Sequence, residues 1–164
     1  MPYSYSRNSM NNNTMAGIII GADHAGFSLK ETIKQYLADM GYAITDVGTD
    51  CTDSVDYPDF GIRVAARVSN GEFDRGILVC GSGVGMSIVA NKFPHVRAVV
   101  GLDEETVRLS RRHNDTNVMV LAGRRTDQDL AKSITRLWLN TEFEGGRHQR
   151  RIDKIEDLEK RLYK

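Results

Sequence analysis

The chain has 164 residues and a mass of 18.3 kDa, with 22 basic and 22 acidic side chains and a formal net charge of zero. That length suits one domain with a real core. The charge balance argues against bulk electrostatic binding to nucleic acid or an anionic membrane, which needs a basic surplus.

Residues 1–14, MPYSYSRNSMNNNT, are polar and rich in Asn and Ser. A disordered extension is expected there, followed by a single domain over 15–164, and Met15 is a second candidate start. Nothing in the extension resembles a signal peptide, and no run approaches the roughly 20 apolar residues of a membrane span. Two cysteines, Cys51 and Cys80, are too few for a disulfide framework. A cytoplasmic protein without a membrane partner is the expectation.

From there the periodicity alternates. GIIIGAD (17–23) is a β-branched run, and in the next segment Phe27, Leu29, Ile33, Tyr36, Leu37 and Met40 fall on a helical stripe stopped by Gly41. AITDVGT predicts a second strand. A loop rich in Asp and Ser leads to Pro58, which suits the first turn of a helix running to Gly71. DRGILVC is strand three and VGMSIVANKF a short helix. RAVVGL is strand four, followed by a helix whose first turn carries Asp103, Glu104 and Glu105 at its positive end. VMVLAG is strand five, DQDLAKSITRLWLN a helix, and RIDKIEDLEKRLYK another with a stripe of Ile152, Ile155, Leu158 and Leu162. That last stripe suits either an ordinary surface helix or one lying across a partner subunit. Strands each followed by a helix predict an α/β fold: a three-layer α/β/α sandwich on a five-stranded, parallel, Rossmann-like sheet.

Such sheets bind ligands at the carboxyl ends of their strands, where strand order reverses. With an order beginning 2-1-3, strand one delivers Asp23 and His24 beside Cys80 and the loop CGSGVG from strand three, and strand five delivers Gly123, Arg124 and Arg125. The loop is not a dinucleotide fingerprint, because Met86 stands where the third glycine would fall, and it lacks the Gly-Lys-Ser/Thr of a Walker loop. Two readings remain. One is a tight turn beside a buried, inert cysteine. The other is a small anion cradle, in which inward-turned amides and a helix start near Val84 favour negative charge. A thiol in that setting is a usable base or nucleophile, and Ser82 can hydrogen-bond the sulfur or a substrate oxygen.

His113 and Asn114 end the fourth helix, as a cationic terminus with an Asn cap or as site residues. Arg147 and Arg151, four apart, can face one anion such as a phosphate, or form a solvated basic turn. The four histidines, at 24, 95, 113 and 148, show no paired ligand spacing, so no metal site is expected, and His95 reads as a turn residue.

Taken together, GADHAGFSLK, DVGT, VDYPDF, CGSGVGMSIVANK, RAVV, SRRHNDTNVMVLAGR and EGGRHQRRIDKI resemble the type B ribose-5-phosphate isomerases, in a family shared with isomerases of galactose and allose phosphates. The resemblance implies interconversion of ribose 5-phosphate and ribulose 5-phosphate through an enediolate, without cofactor, in the pentose phosphate pathway. It implies Cys80 as the base and the amides of Gly81, Ser82, Gly83, Val84 and Gly85 as enediolate stabilisers, with the Ser82 hydroxyl. His113 would open the furanose ring with help from Asp23. His24, Arg124, Arg147 and Arg151 would hold phosphate, and Tyr57 and Asn114 would touch the sugar. It further implies a homodimer with shared sites, the 113–114 segment crossing from the partner, with pairing of dimers into tetramers left open. Some relatives place a glutamate base where this chain has Met86. The alternatives are a six-carbon sugar phosphate as substrate, or a non-catalytic sugar-phosphate-binding module.

Overall fold

The computed structural model describes residues 15–163, and the extension expected at 1–14 lies outside them. Five strands, β1 (Met15–Ala22), β2 (Tyr42–Asp46), β3 (Arg75–Cys80), β4 (Ala98–Val100) and β5 (Val118–Ala122), form one sheet in the order β2-β1-β3-β5-β4. All four pairings are parallel. The expected start of the order, 2-1-3, is correct. The far edge is decided by β5 inserting between β3 and β4.

Alternation along the strands sorts the core into two layers. Ile18, Ile20, Ala22, Ile77, Val79, Met119 and Leu121 face one side, packing on Leu29, Ile33 and Leu37 of α1 (Phe27–Asp39) and on Ala131, Ile134 and Trp138 of α5 (Gln128–Asn140). Val107 of α4 (Glu104–Asn114) joins that layer. Ile19, Leu78, Cys80, Val118 and Val120 face the other side, against α2 (Tyr57–Ser69) and α3 (Val84–Ala90). The chain is therefore the expected three-layer sandwich. Among the described residues, no helix is long and apolar enough to cross a membrane.

Local chemistry sets most boundaries where the sequence places them. Pro58 sits in the first turn of α2, Gly41 takes φ +88° just past α1, and His95 adopts φ 64° in its turn. Asp103 caps α4 by accepting from the Thr106 N–H at 2.7 Å. Two details differ. Asn114 is the last helical residue of α4, and the cap is Asp115 in the left-handed region. The last helix, α6 (Arg147–Leu162), takes in both Arg147 and Arg151, as their i, i+4 spacing expects, but of its apolar stripe only Ile152 is buried while Ile155, Leu158 and Leu162 are exposed.

Among the buried polar side chains, Lys30 carries a charge into the fold. Lys30 is 1% exposed, its Nζ 2.5 Å from Asp46 Oδ2 and 2.8 Å from Glu31 Oε1. Burial opposes ionisation of Asp46, but hydrogen bonds from Lys30, Lys34 and the Gly48 N–H hold its carboxyl below the usual carboxylate range. A carboxyl with a folded value below its unfolded one stabilises the fold above the unfolded value, and that contribution is lost as pH falls through the folded value. Asp46→Ala leaves Lys30 with Glu31 alone, so a loss of about 2–3 kcal/mol at neutral pH is expected, below the full cost of orphaning a buried ion. Urea denaturation checks this, and the wild type should lose stability toward acid more steeply than the variant. A variant as stable as wild type at neutral pH would refute the role of the pair.

Candidate active site

Three strand ends meet in a cavity of about 380 Å³ lined by Asp23, His24, Ala25, Tyr57, Cys80, Gly81, Ser82, Gly85, Arg124 and Arg125. They meet because the turns between them are small. At Gly26 a Cβ would lie 2.3 Å from the Val79 carbonyl oxygen, so the β1–α1 turn packs directly on β3 only with glycine there. The Gly123 N–H donates to the Cys80 carbonyl at 2.7 Å and the Arg124 N–H to the Gly81 carbonyl at 3.1 Å, tying the β5 end to the loop after β3.

Cys80 is the last residue of β3 and 4% exposed. It packs in the α2/α3 layer and is also one of the residues that line the cavity. Gly83 turns the loop with φ +81° as the residue before α3, and the Ser82 hydroxyl accepts from the Val84 N–H at 3.3 Å. Met86 is fully buried. The Tyr57 ring covers Gly85 so closely that a Cβ there would fall 2.7 Å from it. Asp23 is fixed by the Gly26 N–H, which donates to its Oδ1 at 2.9 Å. The Val55 N–H donates to His24 Nδ1 at 3.2 Å, which leaves Nε2 as the ring nitrogen that carries hydrogen in the neutral form. The Arg124 side chain lies along Gly81, its Nη1 3.5 Å from where a Cβ would be. The cavity thus combines a thiol, a carboxylate, an imidazole and two guanidiniums.

Of the residues singled out in the sequence, Asp23, His24, Tyr57, Cys80, Gly81, Ser82, Gly85 and Arg124 line this cavity, whereas Gly83 and Val84 shape the loop without lining it. His113, Asn114, Arg147 and Arg151 are not among its walls. They belong to a second cluster, where α4 ends and α6 begins. There the rings of His113 and His148 stack at 4.2 Å with 9° between planes. Glu144 Oε2 lies 3.7 Å from His113 Nε2 and 3.5 Å from His148 Nε2. Arg112 pairs with Glu144 and holds that carboxyl below the usual range.

His113, Glu144 and His148 lie too far apart in the chain to show ligand spacing, yet their ligand atoms lie within 4.8 Å of one another. Geometry and charge argue against a cation there all the same. Stacked imidazoles direct their in-plane lone pairs side by side rather than at a common point, and Arg112 pairs with the carboxylate. Ala25, Arg125, Glu144 and His148 also stand in these two clusters, though motif spacing assigns them no role. The doublet Arg124–Arg125 after β5 was a signal for Arg125; nothing local in EGGRHQ ties Glu144 and His148 to His113 across about 30 residues.

Residues 18–155 match the ribose/galactose isomerase family model. The chain is 46% identical over 147 residues to ribose-5-phosphate isomerase B of Escherichia coli K12, covering 90% of this chain and 99% of that protein. The ribose-5-phosphate isomerase B structure from Clostridium thermocellum superposes with a TM-score of 0.87 at 49% identity, covering 89% of this chain and 99% of that one. The Mycoplasma genitalium ribose-5-phosphate isomerase B structure with bound ribulose-5-phosphate gives 0.84 at 41%, covering 88% and 96%. The resemblance seen in the motifs is thereby established: the chain belongs to the ribose/galactose isomerase family and is an isomerase, alongside the type B ribose-5-phosphate isomerases.

Proposed function

We propose that the protein interconverts D-ribose 5-phosphate and D-ribulose 5-phosphate without a cofactor, in the cytoplasmic pentose phosphate pathway. The observation that carries this is the placement of Cys80 in the wall of a cavity that also holds the glycine loop, Asp23 and two arginines. In the open-chain aldose, the Cys80 thiolate removes the proton on carbon 2, and the electrons flow to the carbonyl oxygen on carbon 1. That oxygen becomes negative, and those amides of the loop Gly81–Gly85 that face the cavity, with the Ser82 hydroxyl, stabilise it; one such donor typically contributes about 2.7–4 kcal/mol. The thiol then returns the proton to carbon 1, while the hydroxyl proton on oxygen 2 passes to oxygen 1. His24, Arg124, Arg147 and Arg151 bind the phosphate, and Tyr57 and Asn114 contact the sugar.

Ring opening precedes that step. The bond from carbon 1 to the ring oxygen breaks as His113 gives a proton to that oxygen, and Asp23 accepts the proton of the anomeric hydroxyl. Since His113, Asn114, Arg147 and Arg151 stand apart from the Cys80 cavity, they complete the cavity of a second copy in a homodimer. Exposed Ile62 on α2, Val84 and Ile88 on α3 and Leu102 before α4 supply apolar surface for that pairing.

Turnover of ribose 5-phosphate compared with allose 6-phosphate tests the substrate. A clear preference in kcat/KM for the pentose is expected, and a strong preference for allose 6-phosphate would overturn the assignment.

A further inference from the structure

We propose that Glu144, braced by Arg112 and with His148 stacked beneath the ring, is the positioning residue that holds His113 for ring opening. This rests on the role given to His113 above. Glu144 is itself fixed at both ends. Its N–H donates to the Arg112 carbonyl at 3.0 Å, and its Oε1 accepts from Arg112 Nε at 2.5 Å. The carboxylate therefore has one free oxygen, Oε2, and that oxygen faces both imidazoles.

Only one of the two rings is left to satisfy it. Arg147 Nε donates to His148 Nε2 at 3.4 Å, so that nitrogen already serves as an acceptor. His113 Nε2–H is then the partner for Oε2, across a gap of 3.7 Å that a bound substrate would close. With Nε2 so engaged, the proton that moves to the ring oxygen is the one on Nδ1. The arrangement follows the general pattern of a proton-transfer group oriented by a third residue.

His148 is suited to be the platform. It is 5% exposed, and burial, followed by the charges of His113 and Arg147, lowers its pKa below the usual histidine range. A neutral ring can remain in face contact with His113 when the latter takes up a proton, and the stack restrains rotation of the His113 ring. Glu144, at the negative end of this group, offsets the positive charge that His113 carries before it gives its proton away.

The test separates ring opening from isomerisation. D-Ribose 5-phosphate must open before it reacts, whereas D-erythrose 4-phosphate has no free hydroxyl with which to close a furanose ring. In Glu144→Gln, kcat for ribose 5-phosphate should fall about 10- to 100-fold with KM within about threefold, while erythrose 4-phosphate turnover should change by less than about threefold. Glu144→Asp should recover part of the loss. Where the wild type turns over erythrose 4-phosphate too slowly to follow, deuterium entry at carbon 1 of the acyclic ribulose 5-phosphate is read in its place. Undiminished ribose 5-phosphate turnover in Glu144→Gln, or an equal loss on the ring-independent probe, overturns the proposal. His113→Ala is run alongside: if it too keeps full activity on ribose 5-phosphate, the role of His113 itself is what fails.

Discussion

Cys80→Ala is expected to lose isomerisation of ribose 5-phosphate by about 10⁴-fold, roughly 5–6 kcal/mol of barrier, while still binding the sugar phosphate. The size of the effect follows from the lack of a substitute. Met86, in the place where some relatives carry a glutamate, has no exchangeable proton and is fully buried. Asp23 lines the same cavity, but its Oδ1 is engaged with the Gly26 N–H and the carboxylate is assigned to the anomeric hydroxyl. The residues proposed to bind phosphate and the loop amides remain in the variant, so calorimetric titration with ribose 5-phosphate should give an affinity within a few-fold of wild type. An alanine variant keeping a tenth of the activity would remove Cys80 from the role of base. Loss of binding together with activity would instead point to a collapsed loop, which a Cys80→Ser protein, closer in volume and polarity, would reveal by binding normally.

The second large effect is a gain. Mixed under conditions that exchange subunits, inactive Cys80→Ala and inactive His113→Ala proteins should recover activity. A hybrid dimer carries both lesions in one site and none in the other, so random re-pairing should restore roughly a quarter of the wild-type rate. The expectation comes from the separation of the two residue groups within one chain: Cys80 lines the cavity at the strand ends, and His113 sits with His148, Glu144 and Arg147 where α4 meets α6. Hybrids isolated and shown to be mixed, yet inactive, would mean that each site is built from a single chain.

Both experiments depend on how residues far apart in the sequence are brought together, and here the two levels of description part. The amino-acid sequence alone determined the elements, because strand and helix periods, the stop at Gly41, Pro58 at a helix start and the acidic first turn of α4 act over a few residues. It also determined which side chains stand at the carboxyl ends of the strands, since that follows from where each apolar run stops. Tertiary structure decided what spacing cannot carry. The insertion of β5 between β3 and β4 results from its side-by-side pairing with β3, about 40 residues away in the chain, and with β4, about 20 residues away. The turn at Gly26 lies on Val79 because no side chain intervenes, a contact visible only once both strands are in place. The alignment of Glu144 and His148 on His113 arises because α6 begins beside the end of α4, and rings stack through space whatever the length of chain between them. Local rules of periodicity and capping reach one or two turns along the chain, and the chemistry of this protein is assembled from groups that only the packing of its layers makes neighbours.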